Sequence, residues 1–280
     1  MAQVSREIKR VLLQLLPERT RLGLLQQHPN LRKAAPPNLQ LRFDGYLDEF
    51  RVNIDTRFKV ERIMWTGRYE PDLLHLLAQW VRPEFVCFDI GANVGALSLA
   101  MAQRMKGGSG RVYSFEPAPE TFRRLQANVA LNPSVQGHII PVNLGVSFEP
   151  GVLHWSEEAG NEGNGDLLGD SGIDVPVTTV DQFCVEKGLT RLDVMKIDVE
   201  SMEYEVLRGA VESLRRFQPK LYFETMGRSQ GLREQDIFVK IEELLRGLGY
   251  ELFRLDSRRE LVPTDARHFV DYTVAIPRRA

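Results

Sequence analysis

The chain has 280 residues, of which 43% are hydrophobic, a formal net charge of −2, and two cysteines. That length suits one large domain with a small appendage, and the apolar fraction is enough for a sizeable core. Near-neutral charge gives no global case for a nucleic-acid partner, no run of about 18 apolar residues predicts a membrane span, and the short apolar stretch at 11–16 lacks the small-residue cleavage site of a secretory leader.

The first 35 residues are locally basic: Arg6, Lys9, Arg10, Arg19, Arg21, Arg32 and Lys33 stand against Glu7 and Glu18. Val4, Ile8, Val11, Leu12, Leu15 and Leu16 recur at helical spacing and predict an amphipathic helix packed on its own domain. A membrane-surface helix would share that pattern. After Pro36 and Pro37, residues 39–43 and 46–54 read as strands, with Asp44-Gly45 as a two-residue hairpin turn. Residues 1–64 are thus expected to form a helix-and-hairpin extension and 65–280 the main domain. Tyr69-Glu70-Pro71 opens a helix that carries Leu73, Leu74, Leu77 and Trp80.

From residue 85 the pattern alternates. Strands are expected at 85–90, 111–115, 138–142, 193–197, 220–223, 251–255 and 272–276, and helices at 94–105, 118–130, 203–214 and 237–248. Strands alternating with helices of this length predict an α/β fold, a doubly wound, mostly parallel seven-stranded sheet. Cys87 falls inside the first of these strands and reads as a buried free thiol, so a reducing, cytoplasmic location is the simplest expectation. Residues 151–155 and 173–178 look like an inserted hairpin. Its tip, 158–172, is rich in Gly, Asn and Asp, as either a substrate lid or a solvated turn would be.

The most informative stretch is Asp89-Ile90-Gly91-Ala92-Asn93-Val94-Gly95, between the first strand of the alternation and its helix. A glycine there lets the backbone turn sharply and approach a ligand, and the helix N-terminus beyond it offers unpaired N–H groups. A nicotinamide-dependent oxidoreductase would need G-x-G-x-x-G. Here Asn93 replaces the second glycine and Gly95 comes one residue early. The next strand ends in Glu116-Pro117, and a carboxylate at that tip can accept hydrogen bonds from both hydroxyls of a ribose. After the third strand, Asn143-Leu144-Gly145 occupies the place of an adenine-contacting turn. At the carboxyl ends of the later strands Asp198, Glu200 and Glu224 are expected to gather, as substrate or cofactor contacts or as a base.

The pattern D-x-G-x-N-x-G resembles the first motif of class I, Rossmann-like methyltransferases. In them the loop bends around the amino-acid part of S-adenosylmethionine, which would bring Asp89 near its ammonium group. The ordered set Tyr69-Glu70-Pro71, Asp89 to Gly95, Phe115-Glu116-Pro117, Val177-Thr178-Thr179-Val180-Asp181, Lys196-Ile197-Asp198-Val199-Glu200 and Phe223-Glu224 resembles the FkbM family of methyltransferases. The resemblance implies S-adenosyl-L-methionine as cofactor and methylation of a hydroxyl on a sugar, glycan or secondary metabolite, with Glu70 lying over the methyl donor. It does not demand a metal, although three clustered carboxylates can hold one. The family usually has glycine where this chain has Ser201, whose side chain could cap the helix that follows. His75 and His138 lie in apolar surroundings and read as structural. Basic residues are dispersed after residue 35, which argues against a nucleic-acid acceptor. The N-terminal helix and hairpin could supply a homodimer surface. A non-catalytic scaffold that binds the same ligand is the remaining alternative.

Overall fold

A computed structural model describes residues 38–66, 69–157, 165–166, 173–199, 201–225 and 232–278, together with Thr20 and Leu24. The expected N-terminal helix, Glu200 and most of the 158–172 tip lie outside the described residues.

The chain begins with an antiparallel hairpin, β1 (Gln40–Tyr46) and β2 (Phe50–Asp55). Its turn is not at Asp44-Gly45. Asp44 pairs with Arg51 inside the ladder, Gly45 forms an irregularity in β1, and the reversal falls at Leu47-Asp48-Glu49. Leu47 and Asp48 take φ of 50° and 68°, the left-handed values a tight hairpin needs. Phe43, Phe50, Val52 and Ile54 are buried in the same core as the helices that follow. Two asparagine side chains fasten the hairpin to the rest of the molecule: Asn53 N donates to Asn128 Oδ1 at 2.8 Å and Arg51 N to Asn132 Oδ1 at 2.9 Å.

Helices α1 (Lys59–Trp65) and α2 (Pro71–Trp80) lead to β3 (Val86–Ile90) and α3 (Ala96–Gln103). Then come β4 (Arg111–Phe115), α4 (Pro119–Ala130) and β5 (Ile139–Val142). An inserted sheet follows, ordered β6 (Gly145–Val146), β9 (Ile173–Thr178), β7 (Gly151–Glu157), β8 (Gly165–Asp166). Helix α5 (Val180–Glu186) comes next, with Thr179 accepting the Gln182 amide at its start. The alternation resumes with β10 (Val194–Ile197), α6 (Glu203–Arg208), α7 (Val211–Phe217), β11 (Lys220–Glu224), α8 (Leu232–Gly247), β12 (Tyr250–Leu255), β13 (Leu261–Pro263) and β14 (Tyr272–Pro277). The single helix expected over 203–214 is two helices. They meet at Gly209, where a Cβ would lie 2.2 Å from the Ser147 carbonyl oxygen.

The central sheet runs β13-β12-β14-β11-β10-β3-β4-β5. The seven expected strands are all present, and the three-residue β13 adds an eighth at the edge. From β11 to β5 the neighbours are parallel, and β14 enters antiparallel to β11. Because successive strand residues point to opposite faces, each strand feeds two cores. Cys87, Val112 and Val194 pack on one side with α2 and α3, and Phe88, Phe115 and Ile197 on the other. Both cysteines are buried free thiols.

Candidate active site

The register brings one row of side chains across the sheet. Ser114 of β4 pairs with Asp89 of β3, Asp89 with Lys196 of β10, and Lys196 with Tyr222 of β11. By alternation all of them face the side covered by α3, Ser114, Asp89 and Lys196 one step before the carboxyl ends of their strands and Tyr222 two. The row is polar in a layer that is otherwise apolar. Ser98 of α3 donates to Asp89 Oδ2 at 2.6 Å and shares a 2.7 Å bond with Ser114. Asp89 is fully buried.

Lys196 is the centre of this row. Its Nζ donates to the Gly91 carbonyl at 2.7 Å and lies 3.4 Å from Asp89 and 3.5 Å from Asp198. Burial alone would lower its pKa, yet the Asp198 and Asp89 carboxylates hold it above the ordinary lysine value. Sequence reasoning gave this lysine no role. The signal was there: a lysine inside a four-residue, wholly buried strand must be paired.

Beyond the row, the backbone turns. The amides of Gly91 and Ala92 both donate to the Phe115 carbonyl, at 3.1 and 2.8 Å, which closes the start of the loop onto β4. Gly91 has φ +77°, and a Cβ there would fall 1.8 Å from the Asp198 carbonyl oxygen. The close approach that demands this glycine is therefore to the protein's own β10 loop, where the sequence reading placed a ligand. Asn93 also has positive φ, 50°, and its side chain accepts the Val94 amide at 2.8 Å. Gly95, at φ +86°, starts α3 against Leu125.

Glu116, at the tip of β4, closes onto the same loop. Oε2 accepts the Asn93 amide at 2.9 Å and Oε1 the Ala118 amide at 3.0 Å. Burial raises its pKa to about 7, against the pull of both amides and of Lys196. Asn143, at the end of β5, donates to the carbonyls of Glu116 and Pro117 at 2.8 and 2.9 Å. Leu144 packs on the core and Gly145 opens β6. The loop, Glu116-Pro117 and the 143–145 turn thus form one connected unit.

The remaining acids are spread along the rim. The Asp198 side chain is 23% exposed and its amide donates to the Ile90 carbonyl at 3.1 Å. Glu224 ends β11, half-buried and opposite Tyr272 in register. Glu70 precedes α2 in a left-handed conformation, φ 42° and ψ 54°, and accepts the Tyr272 hydroxyl at 3.1 Å. Burial raises its carboxyl pKa, and the neighbouring Asp198 raises it further. Among the described residues no three His, Cys, Asp or Glu side chains converge as a metal site. The expected Ser201 cap is absent. Met202 is the N-cap of α6 without a side-chain bond, and Ser201 is an exposed residue at φ 77°. Glu203 reaches back instead, accepting the Val199 amide at 3.1 Å.

Residues 89–252 match the family model described as the methyltransferase FkbM domain. The chain is 29% identical over 173 residues to the hexuronic acid methyltransferase AglP of Haloferax volcanii, covering 61% of this chain and 67% of that protein. It is also 29% identical over 164 residues to the 31-O-demethyl-FK506 methyltransferase FkbM of Streptomyces tacrolimicus, covering 48% of this chain and 62% of that one. A solved methyltransferase FkbM from Methylobacillus flagellatus superposes with a TM-score of 0.49 at 15% identity, over 78% of this chain and 52% of the other, so the chain spans about half of that protein. With more than half of its 280 residues inside the family match, this chain belongs to the FkbM methyltransferases.

Proposed function

We propose that the protein is an S-adenosylmethionine-dependent methyltransferase that modifies a hydroxyl oxygen of a sugar, glycan or secondary metabolite, through a domain at 65–280. The carrying observation is Glu116, a desolvated carboxylate at a strand tip, bonded to the amide of Asn93 in the glycine loop. Each of its oxygens accepts one amide and keeps capacity for another donor, which suits the two hydroxyls of a ribose. Lys196 is flanked by the Asp89 and Asp198 carboxylates, and two negative charges to one positive fit a site whose charge balance favours a cationic ligand.

When bound, S-adenosylmethionine supplies an electrophilic methyl group on a sulfonium. The chain's own residues would hold and orient. Glu116 takes the ribose, the 91–95 loop borders the amino-acid portion, and the Asn143-Leu144-Gly145 turn borders the base. Asp89 acts through Lys196, which fixes the Gly91 carbonyl and the Asp198 carboxylate with one ammonium. Asp198, Glu200 and Glu224 are the candidates to accept the proton that the acceptor hydroxyl loses, and alignment of that hydroxyl supplies much of the acceleration. The names of the two relatives support the coarser reading, one naming methylation at an oxygen of a small molecule and the other a sugar-derived acceptor.

Calorimetric titration of S-adenosylmethionine into wild type and Glu116→Ala tests the reading. Two hydrogen bonds to a charged group correspond to roughly 3 kcal/mol, or about a hundredfold in Kd, with the fold intact by circular dichroism. Equal affinity of the two proteins would sink the ribose assignment.

A further inference from the structure

The polar row does not stop at Lys196. On its far side Tyr222 of β11 pairs with Val274 of β14, and a cavity of about 420 Å³ opens there beside the start of α2. Glu70, Asp72, Tyr222, Val270, Asp271 and Tyr272 line it. The volume lies in the range of small-molecule sites. The Tyr222 and Tyr272 rings are stacked with centroids 4.9 Å apart and planes 25° from parallel, the buried Tyr222 backing the part-exposed Tyr272. Glu70 is held there in a left-handed conformation that a non-glycine residue adopts at a cost, a feature that concentrates at binding sites. The Tyr272 hydroxyl fixes the direction of its carboxylate. Tyr222 pairs in register with Lys196, whose ammonium lies 3.5 Å from Asp198, so the cavity adjoins the rim of the candidate site.

Among the described residues, no lysine, arginine or histidine lines the cavity. The nearby Arg259 pairs with Asp72 at 2.8 Å, with both side chains about half exposed. Glu70 and Asp271 keep the cavity wall acidic.

We infer that this cavity is the acceptor site and takes an uncharged, hydroxyl-bearing ring of sugar-like chemistry, its apolar face on Tyr272 and one hydroxyl donating to Glu70. This rests on the methyltransferase reading above and adds a selection rule. A ring bearing a carboxylate would set its charge beside Glu70 and Asp271, with no cation among the described lining residues to pair it, and desolvating an unpaired charge is costly. Glu70 then serves the acceptor, whereas the sequence reading gave it to the methyl donor.

Saturation-transfer NMR on the full chain tests this with the methyl glycosides of glucose, mannose and galactose and their three matching uronates. S-adenosylmethionine affinity is measured by calorimetry on the same samples. The expected result is transfer to at least one neutral glycoside, none to its uronate, and a loss of at least fivefold in Glu70→Gln and Tyr272→Phe. A uronate that binds as well as its neutral partner overturns the inference, as does wild-type affinity in Glu70→Gln. Binding of S-adenosylmethionine with no glycoside bound overturns the acceptor assignment alone. Loss of S-adenosylmethionine binding in wild type overturns the methyltransferase reading beneath it.

Discussion

Ser201 occupies a backbone conformation that its side chain disfavours. At φ 77° its Cβ crowds the following carbonyl, a cost of about 1 kcal/mol that glycine does not carry. The glycine that the family resemblance places here has its physical reason in that angle. Glycine also adds unfolded-state entropy, so Ser201→Gly is expected to stabilise the protein by a few tenths of a kcal/mol in urea denaturation, the strain relieved less that entropy. Destabilisation by about 0.5 kcal/mol or more would mean that the turn is not left-handed in solution. Gly91 carries the opposite lesson. Its φ of +77° is matched by a Cβ position 1.8 Å from the Asp198 carbonyl oxygen, a backbone atom rather than the end of a flexible side chain. Gly45, at φ +108°, has nothing within 4 Å of its Cβ position. Gly45→Ala should cost only the conformational term, about 1–2 kcal/mol, while Gly91→Ala should cost well beyond that, at least about 4 kcal/mol, or abolish soluble expression. Equal thermal shifts for the two variants would show that the Gly91 loop is not packed on Asp198.

At the scale of elements, α4 is a latch between the hairpin and the glycine loop. Asn128 is buried, accepts the Asn53 amide from β2, and donates to the Val94 carbonyl at 2.9 Å. Asn128→Ala leaves both backbone groups without that partner and is expected to cost about 2–3 kcal/mol, with weaker S-adenosylmethionine binding because the loop loses its anchor. Stability unchanged within about 0.5 kcal/mol would show that water replaces both bonds. The regular parts of these elements were legible in the sequence: the parallel strands declare themselves as short apolar runs, and β4 falls at 111–115 as expected. What was not legible depends on long-range contact. The β1–β2 turn could not be read from Asp44-Gly45, because the ladder absorbs Gly45 as an irregularity and leaves the reversal to Leu47 and Asp48. The break at Gly209 reflects the approach of Ser147, distant in sequence. Helix α5 carried a local signal that went unread, Thr179 capping the Gln182 amide. For the candidate site, the motif acids Glu116 and Asp198 could be named from spacing, but the role of Lys196 needed the register that sets it between Asp89 and Tyr222.

Over the whole molecule, stability and ligand binding are tied to pH through two buried acids. Burial raises Glu116 and Glu203 from the model-peptide 4.5 to about 7 in the folded chain. Between those values the folded protein holds protons that the unfolded chain has lost, so unfolding releases them and stability falls as pH rises through the window, levelling off above 7. Each group contributes about 3 kcal/mol to this slope as an upper figure. The effect is distinct from the acid limb. Glu49, held low by Lys106, and Asp55, held low by its hydrogen bonds with Arg57 and Gln40 against the opposing effect of burial, lose their contribution only as pH falls below the ordinary carboxylate range. The urea midpoint is therefore expected to drop between pH 5 and pH 8, and Glu203→Gln should remove about half of the drop without affecting the cofactor. Glu116 adds a second consequence. A ribose that donates two hydroxyls requires the ionised carboxylate, so binding at pH 6 must expel the Glu116 proton while binding at pH 8 need not. Calorimetry in buffers of different ionisation enthalpy should show close to one proton released at pH 6 and none at pH 8, with affinity rising across the interval. The same proton count at both values would place the ribose hydroxyls elsewhere than on Glu116.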